Sequence, residues 1–165
     1  MTVADGAGGL FGDTMSKGRK KLITVQVVSG RDLKSKYSGL TALASFFFYQ
    51  FYNFDERYSH TAAGDAPVFE DTQNYEVMFD AKLINYMQKE PLEIILFDDN
   101  APVTGVERGG KAEGDQVDDM IGTVKVPLGD LIKGASIHER FPIRNLKLEN
   151  VGQLEVKVSI IDIDP

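Results

Sequence analysis

Cysteine and tryptophan are absent from the 165 residues, and histidine occurs only twice. Without cysteine there is no disulfide, no thiolate metal site and no thiol nucleophile, and a reducing compartment such as the cytoplasm is the expectation. No Asn-x-Ser/Thr acceptor occurs. No apolar run approaches the roughly 18 residues that a membrane-spanning helix needs, and no short apolar core of a signal peptide opens the chain. The motifs that carry common catalysis are missing too: no Gly-x-Ser-x-Gly elbow, no His-Glu-x-x-His, no Gly-x-x-x-x-Gly-Lys-Ser/Thr. Gly109-Gly110-Lys111 lacks the strand and helix that a phosphate cradle requires. His60 and His138 lie far apart in polar contexts, which suits surface or turn residues better than a general base. Acid pairs such as Asp98/Asp99 have no tryptophan beside which a sugar would stack. A binding module rather than an enzyme is the reading left standing.

Positive charge is also scarce. Lysine and arginine number 18 against 25 acids, a net charge of −7. The only basic run is Lys17, Arg19, Lys20 and Lys21, too little for the basic stripe that replaces phosphate counterions, so nucleic acid is not expected as a partner. Between Asp98 and Asp119, by contrast, seven acids meet two bases, a net −5 in one segment.

What the chain does contain is the makings of a core. At 18.2 kDa, with 42% hydrophobic and 26% charged residues, it has the composition of a globular domain. Residues 1–18 are glycine-rich and poor in large apolar side chains, so a flexible lead-in is expected there, followed by one domain over 19–165. From Lys21 on, apolar residues alternate. Ile23, Val25 and Val27 share a face before Ser29-Gly30, which reads as a turn. Ala44 to Phe54 is so dense in aromatics on both sides that a strand buried on both faces is expected. Tyr75, Val77 and Phe79 resume the alternation, as do Leu92 to Phe97, Ile121 to Val126, a segment around Phe141 to Ile143, and Leu154 to Ile160. Asp80 can cap a short helix carrying Leu83, Ile84 and Met87, which Pro91 limits. Seven or eight strands with one or two helical turns imply an all-β fold, an antiparallel sandwich.

One chemically suggestive feature remains. Calcium takes six to eight oxygens, commonly from carboxylates on neighbouring loops. Asp98 ends a strand and Asp119 precedes one, so antiparallel pairing would bring both to one end of the sheet. Acids also populate loops for no other reason than solvation, and the residues alone leave both readings open.

Several segments, taken in order, resemble a C2 domain: Ser29-Gly30-Arg31-Asp32-Leu33, Ala66-Pro67-Val68-Phe69, Leu96-Phe97-Asp98-Asp99-Asn100 and Asp119-Met120-Ile121-Gly122-Thr123-Val124-Lys125-Val126-Pro127-Leu128. The resemblance covers roughly Lys20 to Asp164 and implies an eight-stranded antiparallel β-sandwich with loops at one end that often bind calcium and phospholipid. Phe48 to Phe54 and Leu83 to Lys89 further resemble a C2 domain of the RPGR-interacting protein (fantom-type) family. That narrower resemblance implies a protein-binding module of a ciliary scaffold at the basal body or transition zone, with a nephrocystin-type partner. Carried over by position, calcium ligands would be Asp98 and Asp119, with Asn100 where an aspartate is usual. The first loop, Lys34 to Ser45, holds no acid at all. Half the family's site is thus missing, and calcium binding is expected to be weak or absent, with no other cofactor. The third loop is long and acidic, and Glu113, Asp115 and Asp118 are its candidate contacts for a basic patch on a protein. A peripheral membrane module, with or without calcium, is the alternative, disfavoured because anionic lipid attracts basic residues and this loop is acidic.

Overall fold

The computed structural model describes residues 19–35, 42–99 and 120–163. The lead-in 1–18, Asn100, Glu113, Asp115, Asp118 and Asp119 lie outside the described residues. The strands are β1 (Lys20–Arg31), β2 (Ala44–Tyr49), β3 (Arg57–Tyr58), β4 (Ala62–Ala63), β5 (Val68–Met78), β6 (Leu92–Asp98), β7 (Met120–Val126), β8 (Ile137–Arg144) and β9 (Asn150–Asp162). Helix α1 spans Ala81–Lys89 and α2 spans Gly129–Ile132. No helix among the described residues is long and apolar enough to cross a membrane.

The strands pair in the order β3-β2-β6-β7-β8-β9-β1-β5, with β4 beside β2. Every pairing is antiparallel. The path curls into a sandwich because β7 and β8 share a single partnered pair, Thr123 with Arg144. On one side of that joint lie β2, β3, β6 and β7, on the other β1, β5, β8 and β9. Gly122 makes the close crossing feasible: a Cβ there would stand 2.6 Å from the Arg144 carbonyl oxygen and 2.8 Å from Ile143. The two ends of the path are clasped by side chains instead. Arg57 on β3 forms an ion pair with Asp71 on β5, its Nε donating at 3.2 Å. Beneath it the Tyr75 hydroxyl donates to Tyr49 at 3.3 Å. Burial holds the Tyr49 phenol protonated far above its ordinary range. Alternation sends Ile23, Val25, Phe47, Ile94, Val124, Val156 and Val158 inward, all fully buried.

Three local expectations change. The aromatic strand ends at Tyr49, and Gln50 to Phe54 form a turn closed by Phe54 N–H to the Phe51 carbonyl at 3.0 Å, with Tyr52 at φ 52°. Nor is β2 buried on both faces, since Phe46 and Phe48 remain half-buried on its outer side. Ser29-Gly30 is no turn: β1 runs on to Arg31 with register shifts against both neighbours, and Gly30 is there to let Leu33 and Pro67 approach. The helix is as expected but longer than a turn. The Asp80 carboxylate accepts from Leu83 N–H at 3.0 Å, and Leu83 and Met87 are buried. The two motifs behind the narrower resemblance meet here. Tyr52 N–H donates to the Tyr86 hydroxyl at 3.0 Å, and Phe51 packs edge-on against Tyr86.

Candidate functional site

Asp98 is the last residue of β6, paired in register with Ser45 at the start of β2. Alternation turns its carboxylate inward, and it is 2% exposed, whereas Asp99 is exposed on the loop side. Asp99 N–H donates to the Ala44 carbonyl at 2.6 Å, and the Asp99 carboxylate accepts from Thr61 at 3.4 Å. This end of the sandwich also holds a shallow cavity that includes Asp32, Asp65 and Lys34 in its lining. Leu33 N–H to Asp65 and Lys34 N–H to Val151, both 2.9 Å, fix the backbone there. Of the three candidate calcium ligands only Asp98 lies among the described residues, where no group of three ligating side chains occurs. The structure therefore places one carboxylate of that set and leaves Asn100 and Asp119 outside its description, as it does the loop acids Glu113, Asp115 and Asp118. The histidines are both exposed. His138 pairs with Glu155 at 2.6 Å and lowers that carboxylate's pKa, while His60 sits beside Phe69 between β3 and β4.

A second feature had no single motif to announce it. On the outer side of β2 and β6, Phe46 stacks on Phe97 at 5.4 Å, Phe97 neighbours Phe48 at 6.0 Å, and Phe48 stacks on Tyr58 at 5.3 Å. The register continues this face: Phe97 is partnered by Met120, and Ile95 by Thr123. Past β7 the face drops into a cleft of about 430 Å³, whose lining includes Met120, Thr123, Lys125, Arg144, Leu146 and Leu148. A neighbouring cavity of about 360 Å³ shares Met120 and Leu146 and adds Lys34 and Lys147. Leu146 and Leu148 are 67% and 74% exposed. They stand on a braced turn: the Asn145 side-chain oxygen accepts from Lys147 and Glu149 N–H at 2.9 Å each, and its nitrogen donates to Glu149. The readable signal was the double-sided aromatic alternation of residues 46–48. The cleft itself joins residues far apart along the chain, which no local pattern displays.

Comparison with known proteins bears on the fold. Residues 21–101 match the model of a family described as the first C2 domain of RPGR-interacting protein 1. No curated protein matches the sequence. Among solved structures, one of CC2D1B, described in connection with the mitotic reformation of the nuclear envelope, is similar with a TM-score of 0.66 and 15% identity. The match covers 84% of this chain and 54% of that one. The two calcium-bound C2 domains of Extended-Synaptotagmin 2 match with a TM-score of 0.58 and 15% identity, over 92% of this chain and 45% of that one. The chain thus spans about half the length of these two structures. A C2 domain of plant Extended Synaptotagmin 1 matches with a TM-score of 0.58 and 14% identity, over 87% of this chain and 96% of that one. At such identities the likeness shows the fold alone.

Proposed function

From the premise that this chain has the C2 fold and matches the first C2 domain of RPGR-interacting protein 1 over residues 21–101, we propose that it is a non-catalytic, protein-binding C2 module of a scaffold at the cilium base or basal body. Its partner in this reading is a protein of the nephrocystin type in the transition zone. The observation that carries the reading is the acid-free first loop: Lys34 to Ser45 supplies no carboxylate to complete a shell around Asp98 and Asp119. A divalent ion would instead meet the positive charge of Lys34 and Lys36. Calcium affinity is then poorer than about 10⁻⁴ M, the weak end of the range for such sites. The segment from Asp98 to Asp119, net −5, is repelled by an anionic headgroup layer within a Debye length of about 8 Å. A basic patch on a protein is steered toward it, with Glu113, Asp115 and Asp118 as contacts.

The test pairs sedimentation on anionic vesicles, with and without calcium, with capture from ciliated-cell extract. The expected result is no vesicle binding in either condition and recovery of a nephrocystin-type protein, weakened by Glu113→Gln, Asp115→Asn and Asp118→Asn together. Robust vesicle binding without a protein partner overturns the reading in favour of a peripheral membrane module. A tight, stoichiometric calcium site by calorimetry overturns the degenerate site on its own.

A further inference from the structure

The groove beyond the aromatic face has a charge that the rest of the molecule does not lead one to expect. The chain carries −7 overall, yet its two adjoining cavities are lined by four cations, Lys34, Lys125, Arg144 and Lys147, against two acids, Glu93 and Glu149. Glu149 is already engaged by the Asn145 side chain at 2.9 Å. None of the three lysines enters an ion pair among the described residues; the pairs there are Lys21–Asp162, Arg57–Asp71 and His138–Glu155. Between these cations lie Met120, Leu146 and Leu148, and the floor continues into the ring ladder of Phe97, Phe46 and Phe48. Two leucines more than two-thirds exposed on a turn braced by three side-chain hydrogen bonds are held out rather than left to collapse. An apolar anchor flanked by exposed charge is the usual composition of a binding hot spot and its polar rim.

We propose that the cleft between β7 and β8, together with the aromatic outer face of β2 and β6, docks an acidic peptide segment of another protein. Its large apolar residues insert between Met120, Leu146 and Leu148, and its carboxylates meet Lys125, Arg144 and Lys147. This rests on the protein-binding reading above and adds a second surface to the acidic loop, of opposite charge. Charge complementarity selects the occupant: a basic segment would face four cations here, and a neutral one would leave them unpaired.

The experiment pans a random peptide phage library against the full chain, then measures a synthetic copy of a recovered peptide by NMR titration and calorimetry. Recovered sequences are expected to place Asp or Glu beside Leu, Ile, Met or Phe, and to shift the amides of Met120, Thr123, Leu146 and Leu148. Lys125→Glu with Lys147→Glu, and separately Leu146→Asp with Leu148→Asp, are each expected to weaken binding about tenfold or more while leaving the melting temperature close to wild type. Recovery of basic peptides, or affinity unchanged in both variants, overturns the proposal. Vesicles containing phosphatidylserine form a parallel arm. Vesicle binding lost in the lysine variant makes the cleft a lipid site and overturns both this proposal and the protein-binding reading. Capture of a protein partner that survives both variants overturns the cleft alone.

Discussion

On β1, β5, β8 and β9 the outward positions form polar rows: Thr72, Gln26, Lys157 and His138 in one, Asn74, Thr24 and Ser159 in the next. Thr24 donates to Asn74 across the strands at 2.8 Å, and His138 binds Glu155. On β2, β3, β6 and β7 the corresponding positions are Tyr58, Phe48, Ile95 and Thr123 in one row, and Phe46, Phe97 and Met120 in the other. Exposed apolar residues on the first face are few: Val68 and Met78 stand apart on β5, and Ile161 on β9 has only Leu22 of β1 beside it. Both faces are equally outward in topology, so the pleat does not explain the difference. Isolated apolar residues on a surface need no explanation, whereas a contiguous set continuing into a cleft marks a contact surface.

The sharpest way to break this contrast is along one strand. Phe47 points inward, fully buried and edge-on to Phe69 at 5.0 Å, and Phe48 beside it points outward. Phe47→Ala is expected to cost about 3–5 kcal/mol in chemical denaturation, and Phe48→Ala about 1 kcal/mol. Equal losses would make the outer ladder part of the core and remove the case for a contact surface. Next, Arg57→Ala leaves the Asp71 carboxylate buried without its partner and unclasps the two faces at their open ends. A loss of roughly 2–4 kcal/mol is expected, the lower part of the range because the guanidinium is partly exposed. An unchanged denaturation midpoint would show that the clasp contributes nothing.

At the opposite seam, Gly122→Ala pushes a methyl group onto the Arg144 backbone. About 1–3 kcal/mol is expected, with amide shifts centred on the β7–β8 cleft rather than on the polar face. Smaller again is the polar face itself: Thr24→Ala should change stability by no more than about 0.5 kcal/mol. The mildest effect is with pH. The Glu155 carboxylate is held below its ordinary value of 4.5, first by its bond to His138. Its contribution is therefore present above that value and lost as the pH falls through the lower folded-state one. A melting curve of His138→Ala should lose less stability on acidification than wild type; identical slopes would mean that the pair is idle.

The strands were legible because alternation is a direct readout of one buried face, as in Ile23, Val25 and Val27. Helix α1 was legible because Asp80 and Pro91 punctuate it. The end of the aromatic strand was not. Its turn is made with Tyr52 at positive φ and without glycine or proline, so Asn53 was the one stop signal within a continuous aromatic run. Gly30 misled in the opposite sense, since glycine serves equally for turning and for close approach. Of the candidate calcium set, the acid-free first loop and the position of Asp98 at a strand end could be read directly. The cleft could not, because the single Thr123–Arg144 pairing that creates it depends on how two distant strands diverge.

The pairing of β1 with β9 has a mechanical corollary. Asp162 lies opposite Lys21, and Ile163 N–H reaches the Lys20 carbonyl at 3.3 Å, so the first described strand begins at the pole where the last one ends. Tension applied through residues 20 and 163 would load that antiparallel ladder from one end. Its hydrogen bonds would open in sequence, like a zipper, rather than resist together in shear. Such a fold can be joined in line with other segments without lengthening them much, yet it yields early when they are pulled apart.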